Sequence, residues 1–181
     1  MSSKKFNMEK VTEQETRKLI IELKLSQTIL ELFDGKCEDE IVLDTFRNDY
    51  ADPYAILCLT EEQQNKYRID RYKPILAYAF STIFAYDIKQ KGFVSYYIEL
   101  MNEQLVCFTW DGLFVQEILK WLDFEISDEN ILHIGNLFGL KYTKEILDSY
   151  YSRTGGDGFP TTKEKENWVD EIMDIINGRI K

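Results

Sequence analysis

Three prolines, one histidine, three scattered cysteines and no long apolar run limit what this 181-residue chain can be. So few prolines rule against a Pro-rich disordered chain. Cys37, Cys58 and Cys107 are odd in number and far apart, in a chain large enough to fold without staples. A disulfide framework is therefore not expected, and a reducing compartment is. The three thiols read as small core residues, and with no C-x-x-C pair to start one, no structural zinc site is expected. Because His133 is the only histidine, every His-dependent mechanism must use it. It lies in the apolar run Ile131-Leu132-His133-Ile134, where a packed or partly exposed structural role is expected. Apolar runs of a few residues cannot span a bilayer. Met1 to Lys10 has positive charge but no apolar stretch behind it, so it reads as neither a signal peptide nor an anchor. The expected location is the cytoplasm, with no membrane partner.

What is present is the composition of a folded domain, with 44% hydrophobic and 30% charged residues. A chain of this size buries roughly 70% of its unfolded surface, enough for a full core. The formal net charge is −10. Residues 1 to 90 hold 16 acids and 13 bases, and residues 91 to 181 hold 16 acids and 9 bases, so the excess lies in the second half. Such acidity opposes binding to nucleic acid or anionic lipid and attracts a cationic partner.

Along the chain, Thr12-Glu13-Gln14-Glu15 has the spacing of a capping box and starts a helix whose apolar face is Leu19, Ile20, Leu23 and Leu25. Ser26 caps a second helix that stops at Asp34-Gly35. Ile41-Val42-Leu43 and Ala55 to Leu59 then read as short strands, followed by a capping box at Thr60 to Gln63 and a helix from Glu61 to Tyr67. Tyr72 to Ala77, Thr82 to Tyr86 and Phe93 to Glu99 read as an antiparallel meander, with Gly92 suited to a left-handed turn position. The last third is helical. Asp111 is the expected cap of Leu113 to Leu122, Ser127 caps a helix ending near Gly139, and another helix runs from Tyr142 to Tyr151. A glycine-rich loop then leads to a final helix opened by Thr161 to Glu164 and closed by Gly178. The expected fold class is α+β, an antiparallel central sheet covered on one face by helices, in a single domain over residues 1–181.

No catalytic constellation assembles from these residues. A nucleophilic pair would need His133 beside Cys58 or Cys107, which sequence spacing does not supply. Glu38-Asp39-Glu40, Glu61-Glu62 and Asp128-Glu129 are adjacent on exposed loops or helix starts, which does not hold two carboxyls across a cleft, and acids at helix starts complement the macrodipole. Gly155-Gly156-Asp157-Gly158 follows a helix and lacks the G-x-x-x-x-G-K-[ST] spacing, so it reads as a connector and not a phosphate loop. No cofactor, metal or enzymatic activity is expected.

Residues 129–151 match the apolar spacing of a helix-turn-helix around Gly139, through Ile131, Ile134, Leu137, Phe138, Ile146, Leu147 and Tyr150. DNA affinity rests on releasing counterions with Lys and Arg. Between 93 and 152 stand Glu99, Glu103, Asp111, Glu117, Asp123, Glu125, Asp128, Glu129, Glu145 and Asp148, against Lys120, Lys141 and Lys144. A structural hairpin is the preferred reading, and no nucleic-acid partner is expected.

Asp70-Arg71-Tyr72-Lys73-Pro74-Ile75-Leu76, then Thr82-Ile83-Phe84-Ala85-Tyr86-Asp87, then Lys91-Gly92-Phe93-Val94-Ser95-Tyr96 resemble the central strands of the SUKH superfamily. The order is a strand carrying Pro-Ile, a strand ending in Asp, a turn with Gly, and a strand of the type Val-x-Tyr. The resemblance covers about half the chain. The expected layout is a flexible lead at 1–11, a SUKH-like core at 12–126 and a C-terminal helical extension at 127–181. The resemblance implies a bacterial immunity protein that binds and neutralises a cognate toxin, such as a nuclease, one to one and without turnover. A phage-type acidic inhibitor or nucleic-acid mimic, and a helix-turn-helix regulator, are the rival readings. The contact face expected for a toxin is Glu99, Glu103, Trp110, Asp111, Asp123 and Glu125, with Trp110 as an exposed anchor.

Overall fold

A computed structural model describes residues 12–46, 59–69, 71–78, 82–97, 103–107 and 109–179. It is an α+β structure. Among the described residues the first helices are α1 (Glu13–Glu22), α2 (Gln27–Phe33) and α3 (Glu40–Phe46), with α4 (Glu61–Lys66) preceding the sheet. Their starts follow the sequence. Thr12 and Glu15 form a reciprocal capping box, Thr60 and Gln63 form another, and the Ser26 hydroxyl accepts from the Ile29 N–H. Each such cap contributes about 1 kcal/mol by satisfying N–H groups that the helix cannot.

Ile41-Val42-Leu43 is helical and not a strand. Asp39 Oδ1 accepts from the Val42 N–H at 2.9 Å, so a side-chain cap starts α3 and outweighs the β propensity of the apolar run. The strand expected at Ala55 to Leu59 lies outside the described residues, apart from Leu59, which is in a bend. So do the lead at 1–11 and the end of the third expected strand.

The sheet has four antiparallel strands in the order β1-β2-β3-β4: β1 (Tyr72–Tyr78), β2 (Thr82–Asp87), β3 (Gly92–Tyr97) and β4 (Glu103–Cys107). The fourth was not read from the sequence. In the β2–β3 turn the left-handed position belongs to Lys91, φ 55°, and not to Gly92. Asp87 holds that turn, its Oδ1 accepting from the Lys89 and Gln90 N–H groups at 2.8 and 3.1 Å. Both faces of the sheet are buried, where one was expected. Phe84, Phe93 and Cys107 face the main core, while Ile83, Ala85, Val94 and Tyr96 form a second cluster with Ile69 and Tyr72.

Four helices complete the chain: α5 (Trp110–Asp123), α6 (Asp128–Leu137), α7 (Thr143–Thr154) and α8 (Thr162–Arg179). The cap of α5 is Thr109, whose hydroxyl accepts from the Gly112 N–H, and not Asp111. Ser127 caps α6 as expected, Gly139 ends that region at φ 73°, and α8 continues one residue past Gly178. α5 is buried nearly all round, through Trp110, Leu113, Phe114, Val115, Ile118, Leu119 and Trp121. Large side chains of this kind each contribute about 1.5–3 kcal/mol on burial. The 127–181 region is helical, but its Ile134, Tyr150, Trp168 and Ile172 lie in the same core cluster as α2, α3 and the sheet.

α6 and α7 cross at a glycine. A Cβ on Gly135 would lie 2.2 Å from Thr143 Oγ1 and 2.9 Å from Thr143 Cβ. Gly135→Ala is expected to destabilise the fold by about 1–3 kcal/mol, seen as a lower urea midpoint with an unchanged slope. Thr143→Ala in that background recovers only part, because the Cβ contact remains.

Candidate partner-binding surface

The six residues expected at a contact face separate sharply. Trp110 is 8% exposed, stacks edge-on to Phe93 and Phe114 with centroids 5.3 and 4.9 Å away, and donates from Nε1 to the Phe138 carbonyl at 3.2 Å. It is a core residue, and the expected exposed anchor is corrected on that ground. Asp111 is buried too. Its Oδ1 accepts from the Lys141 N–H and, at 3.0 Å, from the Tyr142 N–H. These groups sit at the start of α7, whose own N-cap Tyr142 gives no side-chain bond. Asp111 therefore caps a helix thirty residues downstream of itself, and it cannot meet a partner. Burial pushes its carboxyl above the usual range, against the pull of those two N–H groups.

Glu99 lies outside the described residues, and Glu103 occupies β4 opposite Tyr96. Asp123 and Glu125 lie at the turn between α5 and α6, and both are exposed. Asp123 accepts from Lys165 Nζ at 2.9 Å, tying the end of α5 to α8. Glu125 holds the left-handed position of the turn at φ 59°, where the Ile126 N–H reaches back to the Trp121 carbonyl at 3.0 Å.

Between these acids stands Phe124, 68% exposed, which the sequence reading passed over. Its signal was the break in spacing: Trp110, Phe114, Ile118 and Trp121 continue one face, and the chain leaves the helix before Phe124 can join it. Asp128 and Glu129 follow in the first turn of α6, and Tyr151 donates its hydroxyl to Asp128 Oδ1 at 2.7 Å. From Trp121 to Leu140 there is no Lys or Arg.

The remaining titratable groups on the described surface include a pair between α6 and the start of α3. His133 Nε2 lies 2.8 Å from Asp39 Oδ2, joining α6 to the cap of α3. Burial opposes ionisation of Asp39, but the bonds from Val42 and His133 outweigh it and hold the carboxyl below the usual range. Cys37, beside it in a cleft of about 340 Å³, is a free thiol raised by burial and by the neighbouring acids, the opposite of an activated nucleophile. Cys107 is buried and pushed up to about 12 by desolvation. Cys58 lies outside the described residues. Among the described residues no three His, Cys, Asp or Glu side chains are placed to hold a metal, and no helix is long and apolar enough to cross a membrane.

No family model, characterised protein or solved structure matches the chain. The chemistry of the surface carries the functional reading.

Two buried acids generate tests. Asp87 is fully buried, with Arg71 Nε at 2.9 Å and Nη2 at 2.5 Å from Oδ2. Burial alone would raise its carboxyl, but Arg71 and the Gln90 and Lys89 N–H groups outweigh it, so the group titrates below the usual range. The ionised form is thus favoured by folding, and its contribution is present above the unfolded value and lost as pH falls through the folded one. Asp87→Asn is expected to cost about 3 kcal/mol at pH 7. That deficit narrows below pH of about 4, where the wild type also loses the charge. Urea midpoints across pH 3 to 7 check this, and a constant deficit counts against it. Asp111→Ala is expected to cost about 1–3 kcal/mol by leaving two N–H groups unpaired, again read from urea midpoints.

Proposed function

We propose that this protein neutralises a cationic bacterial toxin, such as a nuclease, by binding it one to one in the manner of an immunity protein. The observation that carries the reading is where the acids lie. Of the acidic residues from 109 to 179, only Asp111 and Glu117 are buried, and the others stand in exposed positions on α5 to α8 and their turns. The excess of acids over residues 109–179 is therefore a property of the surface. An acidic surface fits the basic groove in which a nuclease holds phosphate, raising the association rate and rejecting anionic partners. The resemblance of the strand order at residues 70–96 to the SUKH superfamily points the same way.

The helix-turn-helix reading fares worse on geometry. Lys144 is held by Asp148 at 2.6 Å, Arg153 pairs with Glu171, and Lys120 sits 2.7 Å from Glu117. The exposed side of α7 alternates Lys144 with Glu145 and Asp148, which is no counterion-releasing stripe.

The test is to read the genes beside this one and co-express the protein with the terminal domain of any nuclease-type toxin found there; a neighbourhood without a toxin counts against the proposal. Growth is expected to be restored, a 1:1 complex to appear in light scattering, and association to slow about 10-fold between 50 and 500 mM salt. Failure to bind and protect, or tight binding to duplex DNA at low salt, overturns the proposal.

A further inference from the structure

A groove of about 530 Å³ runs between α5 and α8, floored by the buried Leu119 and Val169. Two of its lysines are already neutralised. Lys120 is held by Glu117, and Lys165 by Asp123 at the end of α5. What is left on the rim is Glu166 and Asp170, exposed, one turn apart on α8, and in no ion pair among the described residues. Like charges at that spacing repel, so a helix gains nothing from them unless a cation comes between. The Lys165–Asp123 pair joins the groove to the α5–α6 turn, where Phe124 is the most exposed of the large hydrophobic residues described.

We propose that this groove and the adjoining Phe124 turn form the docking surface for a basic segment of the toxin. The inference rests on the toxin-neutralising reading. Charge complementarity selects the occupant: Glu166 and Asp170 receive a Lys or Arg, whose aliphatic stem lies over Leu119 and Val169, and Phe124 enters an apolar socket on the partner. The two parts have separable effects. The acids set the rate of encounter and its salt dependence, because they act at a distance. Phe124 acts only on contact and sets the rate of release. Trp110 and Asp111 take no part, being enclosed.

The experiment measures association and dissociation with the neighbouring-gene toxin domain for three exposed-site variants, each first shown to keep the wild-type urea midpoint. Glu166→Lys with Asp170→Lys is expected to slow association about 10-fold at low salt and flatten its salt dependence. Phe124→Ala is expected to speed dissociation 10-fold or more while leaving association nearly unchanged. Glu38→Lys with Asp44→Lys makes the same change in net charge at the cap region of α3 and on α3 itself, and is expected to slow association no more than about 2-fold. A toxin bound and neutralised equally by all three variants overturns the docking surface and leaves the function standing. An effect of the α3 control as large as that of the groove variant attributes the attraction to bulk charge and likewise overturns the surface. No binding by the wild type overturns both.

Discussion

Enclosure of α5 is the constraint on which the rest of the structure depends. A helix buried nearly all round must find neighbours on every side, and α5 finds them in Phe93 and Cys107 of the sheet, Phe46 of α3, Phe138 after α6 and Met173 of α8. Its polar groups then have no water to turn to. Asp111 is satisfied by the backbone ahead of α7, Trp110 by the Phe138 carbonyl, and Glu117 by Lys120, the last at the cost of a carboxyl that burial drives upward. The bonds of Asp111 and Trp110 each fix another element relative to α5, while the Glu117–Lys120 pair lies within the helix.

The same enclosure sorts the charge. Acids that fall on α5 within the core are pressed into capping and pairing, and those at its end and on the later helices are left in solvent. Surface ion pairs such as Arg17–Asp34 and Arg153–Glu171 tie neighbouring helices together but contribute little each. The acids without such partners give the molecule its field, and it is that field, more than any enclosed chemistry, that distinguishes the helical half.

Local rules made much of the fold legible. The capping boxes at Thr12 and Thr60, the Ser26 and Ser127 caps and the period of strands β1 to β3 all act within a few residues, so their signals survive in the sequence. What was lost depends on residues far apart. Asp39 turns Ile41 to Leu43 into a helix start while reaching His133 on α6, and Asp111 reads as a cap for its own helix but serves another. β4 carries too short an alternation to stand out before its register against β3 is known. The surface was half legible for the same reason: Asp123 and Glu125 are exposed because a helix ends there, which the sequence announces, whereas the burial of Trp110 is decided by Phe138 and Phe93.

The cap that Asp111 lends to α7 bears on where this chain can be divided. A helical hairpin with its own caps can be cut out and carried to another protein as a unit. The α6–α7 pair is not self-contained in this way, because the first turn of α7 takes its acceptor from α5, and the two helices pack closely where Gly135 admits Thr143. The region after residue 127 thus depends on α5 for the cap of α7, and a chain severed between them would leave both parts short of a partner.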